Sequence, residues 1–242
     1  MMLYIVGTGG GSRQGMTPEA ADAIEKSSLI VGYTVYCDLL RPFYPEKQYY
    51  STGMRQEKER VLYALEQAAN GFDVSLVCSG DAGVYGMASL AFELAENSFP
   101  GVEIKVIPGV TAALSGAALL GSPLTNDFAV ISLSDLLTPW EVIEKRLEGA
   151  AMGDLVIVLY NPMSRQRTDN LRRACEIILK YREENTPCGI AENIGREGEK
   201  CRILTLHELQ DTAVDMFTTV FVGNSVTRVI DGKLVTPRGY RL

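Results

Sequence analysis

One histidine, His207, is all this chain has. A lone histidine makes a histidine-based metal site untenable, and with no GxSxG stretch beside it there is no Ser-His-Asp set; His207 reads as a helix-start residue. The five cysteines, Cys37, Cys78, Cys175, Cys188 and Cys201, are odd in number and include no CxxC. That excludes both a paired disulfide framework and a zinc ribbon and leaves buried free thiols of a cytoplasmic protein as the expectation. Basic residues are in deficit: 23 Lys and Arg face 30 Asp and Glu, a net charge of −7. Nucleic-acid binding, which needs a basic face to displace counterions, is therefore not expected. Long apolar runs are missing too. The longest small-apolar stretch, Val110 to Leu120, is interrupted by Ser115 and Gly116 and is far below a membrane span. Met1 to Val6 is too short and too uncharged for a secretory signal. Finally, no GxxxxGK[ST] phosphate loop occurs.

What is present is an apolar content of 46% over 242 residues, enough for one large domain or two small ones with real cores. Short apolar runs at 2–6, 28–32, 73–78, 103–107, 128–132, 154–159, 188–192, 202–205 and 219–223 predict strands. Helical patterns lie near 17–27, 54–69, 84–96, 111–120, 139–149 and 165–182. This alternation predicts an α/β fold. Thr17-Pro18 and Thr138-Pro139 each place a capping hydroxyl before a proline at a helix start, and Asn70-Gly71 closes the helix before it. The segment LGSPLTND (120–127) separates two patterned halves, giving expected domains of 1–125 and 126–242. The first half holds 8 basic and 13 acidic residues and the second 15 and 17, so most of the acidity lies in the first.

Four loops of similar style follow predicted strands. The first, GTGGGS (7–12), invites a dinucleotide reading and fails it. Gly7-x-Gly9 is followed at the third position by Ser12, the helix starts only at Thr17, and no acid ends a clear second strand. The others are VCSGDAGVYG (77–86), VIPGVTAALSGAA (106–118) and VLYNPMS (158–164). Loops at the C-terminal ends of strands are where α/β sheets hold ligands. These offer backbone amides, small residues, one carboxylate (Asp81) and hydroxyls (Ser79, Thr111), which suits a ligand with an amino group, a ribose and an adenine.

The set GTGGGS…MTPEA, SGDAGVYGMA, PGVTAALSGAALLGSPLTNDFAVISLSDLLTPW, YNPMSRQR and GNS…TPRGY resembles the tetrapyrrole methylase family over nearly the whole chain. The resemblance implies two α/β domains with the ligand cleft between them, S-adenosylmethionine as cofactor (S-adenosylhomocysteine as product), usually a homodimer, and neither metal nor membrane. The run DFAVISLSDLLTPW (127–140) points to members that methylate ring carbon 17 of a precorrin-3B-type or cobalt-precorrin-3 macrocycle, with ring contraction, in cobalamin biosynthesis. The alternatives are a family member acting on another precorrin carbon or on a non-tetrapyrrole acceptor, or a tetrapyrrole-binding protein without turnover.

Carried over by position, the implied cofactor contacts are Gly10, Ser79, Gly80, Asp81, Val84, Thr111, Ala112, Tyr160, Asn161, Ala191, Ile194 and Gly223. Gly10 stands where relatives have proline. Asn126 stands where a histidine commonly precedes the Asp of DFAVISLSD, so an acid-base role for that histidine does not transfer. Asp127 and Asp135, then Tyr85 and Ser132, are the catalytic candidates. The implied substrate is a polycarboxylate, for which Arg13, Arg55 and Arg165 are the expected partners, with Arg167, Arg196 and Arg238 also near loops.

Overall fold

MLYIVG becomes β1 (Met2–Gly7), near the middle of an all-parallel sheet. With β2 (Leu29–Tyr33), β3 (Gln48–Thr52), β4 (Val74–Cys78) and β5 (Glu103–Ile107) the strand order is β3-β2-β4-β1-β5. Strands covered on both faces read as near-continuous apolar runs, as β1, β2 and β4 do, with Ser75 interrupting β4. One face packs Val6, Ile30, Val77 and Ile107 against α1 (Pro18–Lys26) and α2 (Thr34–Leu40). The other packs Leu3, Ile5, Val31 and Leu76 against α3 (Glu57–Ala69) and α4 (Ala88–Ser98). The computed structural model describes residues 1–163 and 168–241, and the chain forms two compact units, Met1–Ala112 and Ala113–Leu242.

The second unit begins with α5 (Ala112–Leu120), then β6 (Gly121–Ser122), β7 (Phe128–Ser132), α6 (Trp140–Met152), β8 (Val156–Tyr160) and α7 (Asn170–Ile178). β9 (Pro187–Glu192), β10 (Lys200–Thr205), α8 (Leu206–Gln210), β11 (Thr218–Val222), β12 (Arg228–Ile230) and β13 (Lys233–Val235) follow. Its main sheet runs β10-β9-β11-β8-β7, with β7 and β8 parallel and the other neighbours antiparallel. α6, α7 and α8 cover one face, and α5 lies on the other, where Ala113, Ala117 and Leu120 meet Val158, Ala191 and Phe221.

Every expected strand and helix has a counterpart, with ends shifted by a few residues; the start of the expected helix 165–182 lies outside the described residues, and α7 covers Asn170–Ile178. The expected 125/126 boundary moves to 112/113. The segment in between belongs to the second unit because α5 packs on that sheet and β6 pairs with β13. Thr17 caps α1 through the amide of Ala20, as expected. At α6 the cap position is Pro139, without a side-chain bond, so Thr138 does not cap. α2, β3 and the short β6, β12 and β13 were not expected: TVYCDLL is rich in β-branched and aromatic residues without helical period, and QYYST lacks a buried face of its own. Among the described residues no helix is long and apolar enough to cross a membrane.

Candidate functional site

In a parallel sheet all C-terminal strand ends share one edge. On this edge the first unit gathers the loops after β1, β4 and β5. The chain leaves β1 for α1 on one face and β4 for α4 on the other, a divergence that opens ligand crevices in α/β folds. Here backbone fills it. Gly9 and Gly80 pair as a two-way bridge (Gly9 N to Gly80 O 3.0 Å, Gly80 N to Gly9 O 2.7 Å). Both glycines are left-handed, at φ +59° and +66°, a conformation that costs a side chain dearly. A Cβ on Gly7 would lie 2.6 Å from Gly109 N, and one on Gly109 would collide with the Gly80 carbonyl. The glycines of the opening motif thus serve close approach of three chain segments rather than a pyrophosphate. Gly10, between Gly9 and Gly11 (φ +93°), is not left-handed.

Asp81 completes the lacing. Its Oδ1 accepts from Gly83 N (2.8 Å) and Val84 N (3.0 Å), and its Oδ2 from Gly109 N (3.0 Å). Both carboxylate oxygens are therefore engaged by the protein's own backbone. Asp81, expected among the cofactor contacts, is thus held by three backbone amides that tie its own loop to the one after β5. Ser79, Gly80, Val84, Thr111 and Ala112 lie half-buried around this junction. Gly80 is spaced so that a Cβ would rest 3.6 Å from Thr111 Cα and Ala112 N. A surface of small side chains and main chain, lacking any phosphate-binding lysine, fits an amino-acid or nucleoside moiety.

Two bulky residues on this edge hold left-handed backbone, Arg55 (φ +66°) after β3 and Tyr85 (φ +54°, 53% exposed) after β4. Such positions persist where surroundings impose them, commonly at functional sites. Arg13, in the turn after the first loop, is exposed and 3.7 Å from Glu25, a weak surface pair. The sequence reading missed Arg60. It is only 3% exposed, and its guanidinium bonds Thr52 and Gly53. The signal was there: position 60 falls on the same helical stripe as Val61, Ala64, Leu65 and Ala68.

In the second unit β7, β8 and β9 run the same way and their C-terminal ends form one edge. Ser132, Tyr160 and Asn161 meet there. Asn161 (φ +51°) donates from Nδ2 to Ser132 Oγ at 2.9 Å, and Ser134 N donates to the same oxygen at 3.2 Å. The Tyr160 hydroxyl accepts from Ala113 N at 2.7 Å, and its carbonyl from Leu133 N at 2.8 Å. Ala191 and Ile194 lie at the same edge, Ala191 buried and Ile194 against the α5 position of Gly116. Asp135 follows on the exposed loop after β7.

Two expected residues are not with them. Asp127 precedes β7, its carbonyl accepting from Val156 N at the start of β8, and so sits at the opposite edge of the sheet. Asn126 is there too, its Nδ2 on Pro237 O. Gly223 follows antiparallel β11 and bonds Pro187 O at the start of β9, which is again the opposite edge. A cavity of about 610 Å³ opens there, lined by Asp154, Arg182, Asn185, Asn224, Ser225 and Arg228 among others; it is the far end of the sheet from Ser132 and Asn161. Arg196 lies over the Phe217 ring, and Arg238 reaches Thr125 O. Arg165 and Arg167 lie outside the described residues. Among the described residues no cluster of His, Cys, Asp or Glu could hold a metal ion.

The chain is 46% identical to the probable cobalt-factor III C(17)-methyltransferase of Salmonella typhimurium, over all of both chains. It is 39% identical to the precorrin-3B C(17)-methyltransferase of a Sinorhizobium species, over 98% of this chain and 96% of that one. The crystal structure of the methyltransferase CobJ superposes with a TM-score of 0.91 at 37% identity, covering 98% of this chain and 99% of that one. Residues 2–210 match the family described as tetrapyrrole (corrin/porphyrin) methylases, and the chain belongs to that family.

Proposed function

We propose that this protein is an S-adenosylmethionine-dependent C-methyltransferase that methylates ring carbon 17 of a cobalt-factor III-type tetrapyrrole, with ring contraction, in cobalamin biosynthesis. The observation that carries this reading is the end-to-end 46% identity with a relative of that name. The relative named for the metal-free macrocycle stands lower, at 39%, which favours the cobalt-containing acceptor.

The cofactor supplies an activated methyl on sulfonium and leaves as a neutral thioether, so no acid is required at the leaving group. The protein's part is to hold, align and exclude water, which can supply on the order of 7–11 kcal/mol in well-oriented reactions. Gly10, Ser79, Gly80, Val84, Thr111 and Ala112 in the first unit are the residues proposed to hold it, largely through backbone; Tyr160, Asn161, Ala191 and Ile194 are the candidates that the second unit offers at its own strand ends. Asp81 acts behind them. Arg13 and Arg55 are proposed to meet carboxylate arms of the macrocycle, with Arg165 as a third. Ring contraction moves protons and needs an acid or base; Ser132, Asp135 and Tyr85, which follow the C-terminal ends of their strands, are proposed for that task, and Asp127, at the opposite end of its sheet, is not. A homodimer in the cytoplasm is part of the same reading, checked by sedimentation and fractionation.

The test offers methyl-labelled S-adenosylmethionine with cobalt-factor III and, separately, with metal-free precorrin-3B. The expected product is the cobalt macrocycle carrying one added methyl. Label on neither acceptor overturns the reading, and preference for the metal-free form reassigns the substrate.

A further inference from the structure

Arg60 is a buried cation whose partners are all neutral. Nε donates to Thr52 Oγ1 at 2.9 Å, and Nη2 to Gly53 O at 2.8 Å and Thr52 O at 3.5 Å. Nη1 reaches Met87 Sδ at 3.5 Å, and the Tyr33 ring lies 5.8 Å from the guanidinium carbon. Among the described residues no carboxylate pairs with it. Burying a charge without a counter-ion is expensive, and an apolar side chain of similar volume would pack there more cheaply. The guanidinium must therefore secure something an apolar residue cannot.

What it secures is the turn after β3. Its fork spans the Thr52 hydroxyl and the Gly53 carbonyl, a two-point grip that an ammonium cannot reproduce. Gly53 N is tied on the other side to Gln56 Oε1 at 2.7 Å, and Thr52 O also accepts from Thr34 Oγ1 at 3.1 Å. Between these anchors stands Arg55 at φ +66°. A left-handed arginine is unfavourable and persists only where its neighbours over-determine it. The anchors do so, and they place Arg55 at the edge that carries the glycine loops.

We propose that Arg60 is a positioning residue for substrate recognition: it grips the Thr52–Gln56 turn from within the core so that Arg55 stands at the ligand edge to meet a carboxylate arm of the macrocycle. This rests on the methyltransferase reading above. The experiment is a double-mutant cycle in steady-state kinetics with Arg55→Ala, Arg60→Lys and the pair. Arg55→Ala should raise KM for the tetrapyrrole about tenfold, the loss of one charge-assisted bond, and leave KM for S-adenosylmethionine within about twofold. Arg60→Lys should raise the same KM and add nothing on the Arg55→Ala background, because both act through one contact. Additive effects, or an equal rise in both KM values, would overturn the assignment while leaving the methyltransferase reading intact. A wild-type enzyme that methylates no tetrapyrrole would overturn both. If Arg60→Lys does not fold, Thr52→Val, which removes one of the two grip points, should give the same selective KM rise, and an unchanged KM would refute the proposal.

Discussion

Asp81 separates two accounts of the site. If it touched ligand, its removal would weaken binding and spare the fold. The structure instead has its carboxylate accept three backbone N–H groups, two within its own loop and one from Gly109 across the junction. Hydrogen bonds to a charged group contribute about 1.5–3 kcal/mol each, and water recovers part of that at a half-buried site, so Asp81→Ala should cost roughly 2–4 kcal/mol. Asp81→Asn keeps a carbonyl oxygen for Gly83 and Val84 but turns an amide donor toward the Gly109 N–H. It should cost less, about 1–2 kcal/mol, with the loss confined to the joint between the two loops. The assay is urea unfolding with the midpoint and slope fitted separately, since a shift of midpoint at constant slope isolates stability. Calorimetric titration with S-adenosylhomocysteine accompanies it. Binding should weaken in proportion to the stability lost, Ala more than Asn. An Asp81→Ala variant that unfolds at the wild-type urea concentration yet no longer binds would refute the loop-pinning account and return Asp81 to the ligand.

Gly116→Ala tests the seat of α5. A Cβ there would lie 2.9 Å from Phe221 Cζ and 3.0 Å from Ile194 Cδ1, so overpacking of about 1–3 kcal/mol should outweigh the gain in helix propensity, and the thermal midpoint should fall. Cys37 and Cys78 are pushed up to about 11 by burial, Cys175 to about 12 and Cys188 further still, whereas Cys201 is exposed. A thiol reagent should label Cys201 rapidly in the native protein and all five cysteines only in denaturant; rapid native labelling at a second site would contradict the packing. Bonds from the Thr205 backbone amide and hydroxyl hold the Glu208 carboxyl below its ordinary value. Its contribution to α8 is therefore complete above the ordinary carboxylate range and lost as pH falls through the lowered value. Glu208→Gln should flatten the acid limb of the stability profile, and an unchanged limb would remove the capping box from the account.

The sheets were legible because burial on both faces turns strands such as VSLVC and VIVLY into near-continuous apolar runs, and helix starts such as Thr17-Pro18 carry their own chemistry. The four loops at C-terminal strand ends followed from the strands. Strand direction did not. Nothing local in TTVFV says that β11 runs against β8, so Gly223 was assigned to the edge that its strand leaves rather than the one it reaches. Asp127 was misplaced for the simpler reason that it precedes its strand. Asp81 was read as a ligand for an amine because a carboxylate in a glycine loop suggests one; its three backbone donors come from residues 83, 84 and 109, and the last of these is visible only after folding. Arg60 was passed over because an arginine in an amphipathic helix is ordinarily taken for its wet face.

The mutual approach of Gly7, Gly80 and Gly109 has a consequence for genetic mapping of the enzyme. Where main chain meets main chain, no side chain exists to delete, and scanning substitution would return only poorly folded variants at these positions. These positions would be scored as scaffold, and function would be assigned only to residues whose side chains can be deleted. Backbone-level replacement, such as an amide-to-ester exchange at Gly10 or Thr111, is the perturbation able to resolve a cradle of this kind.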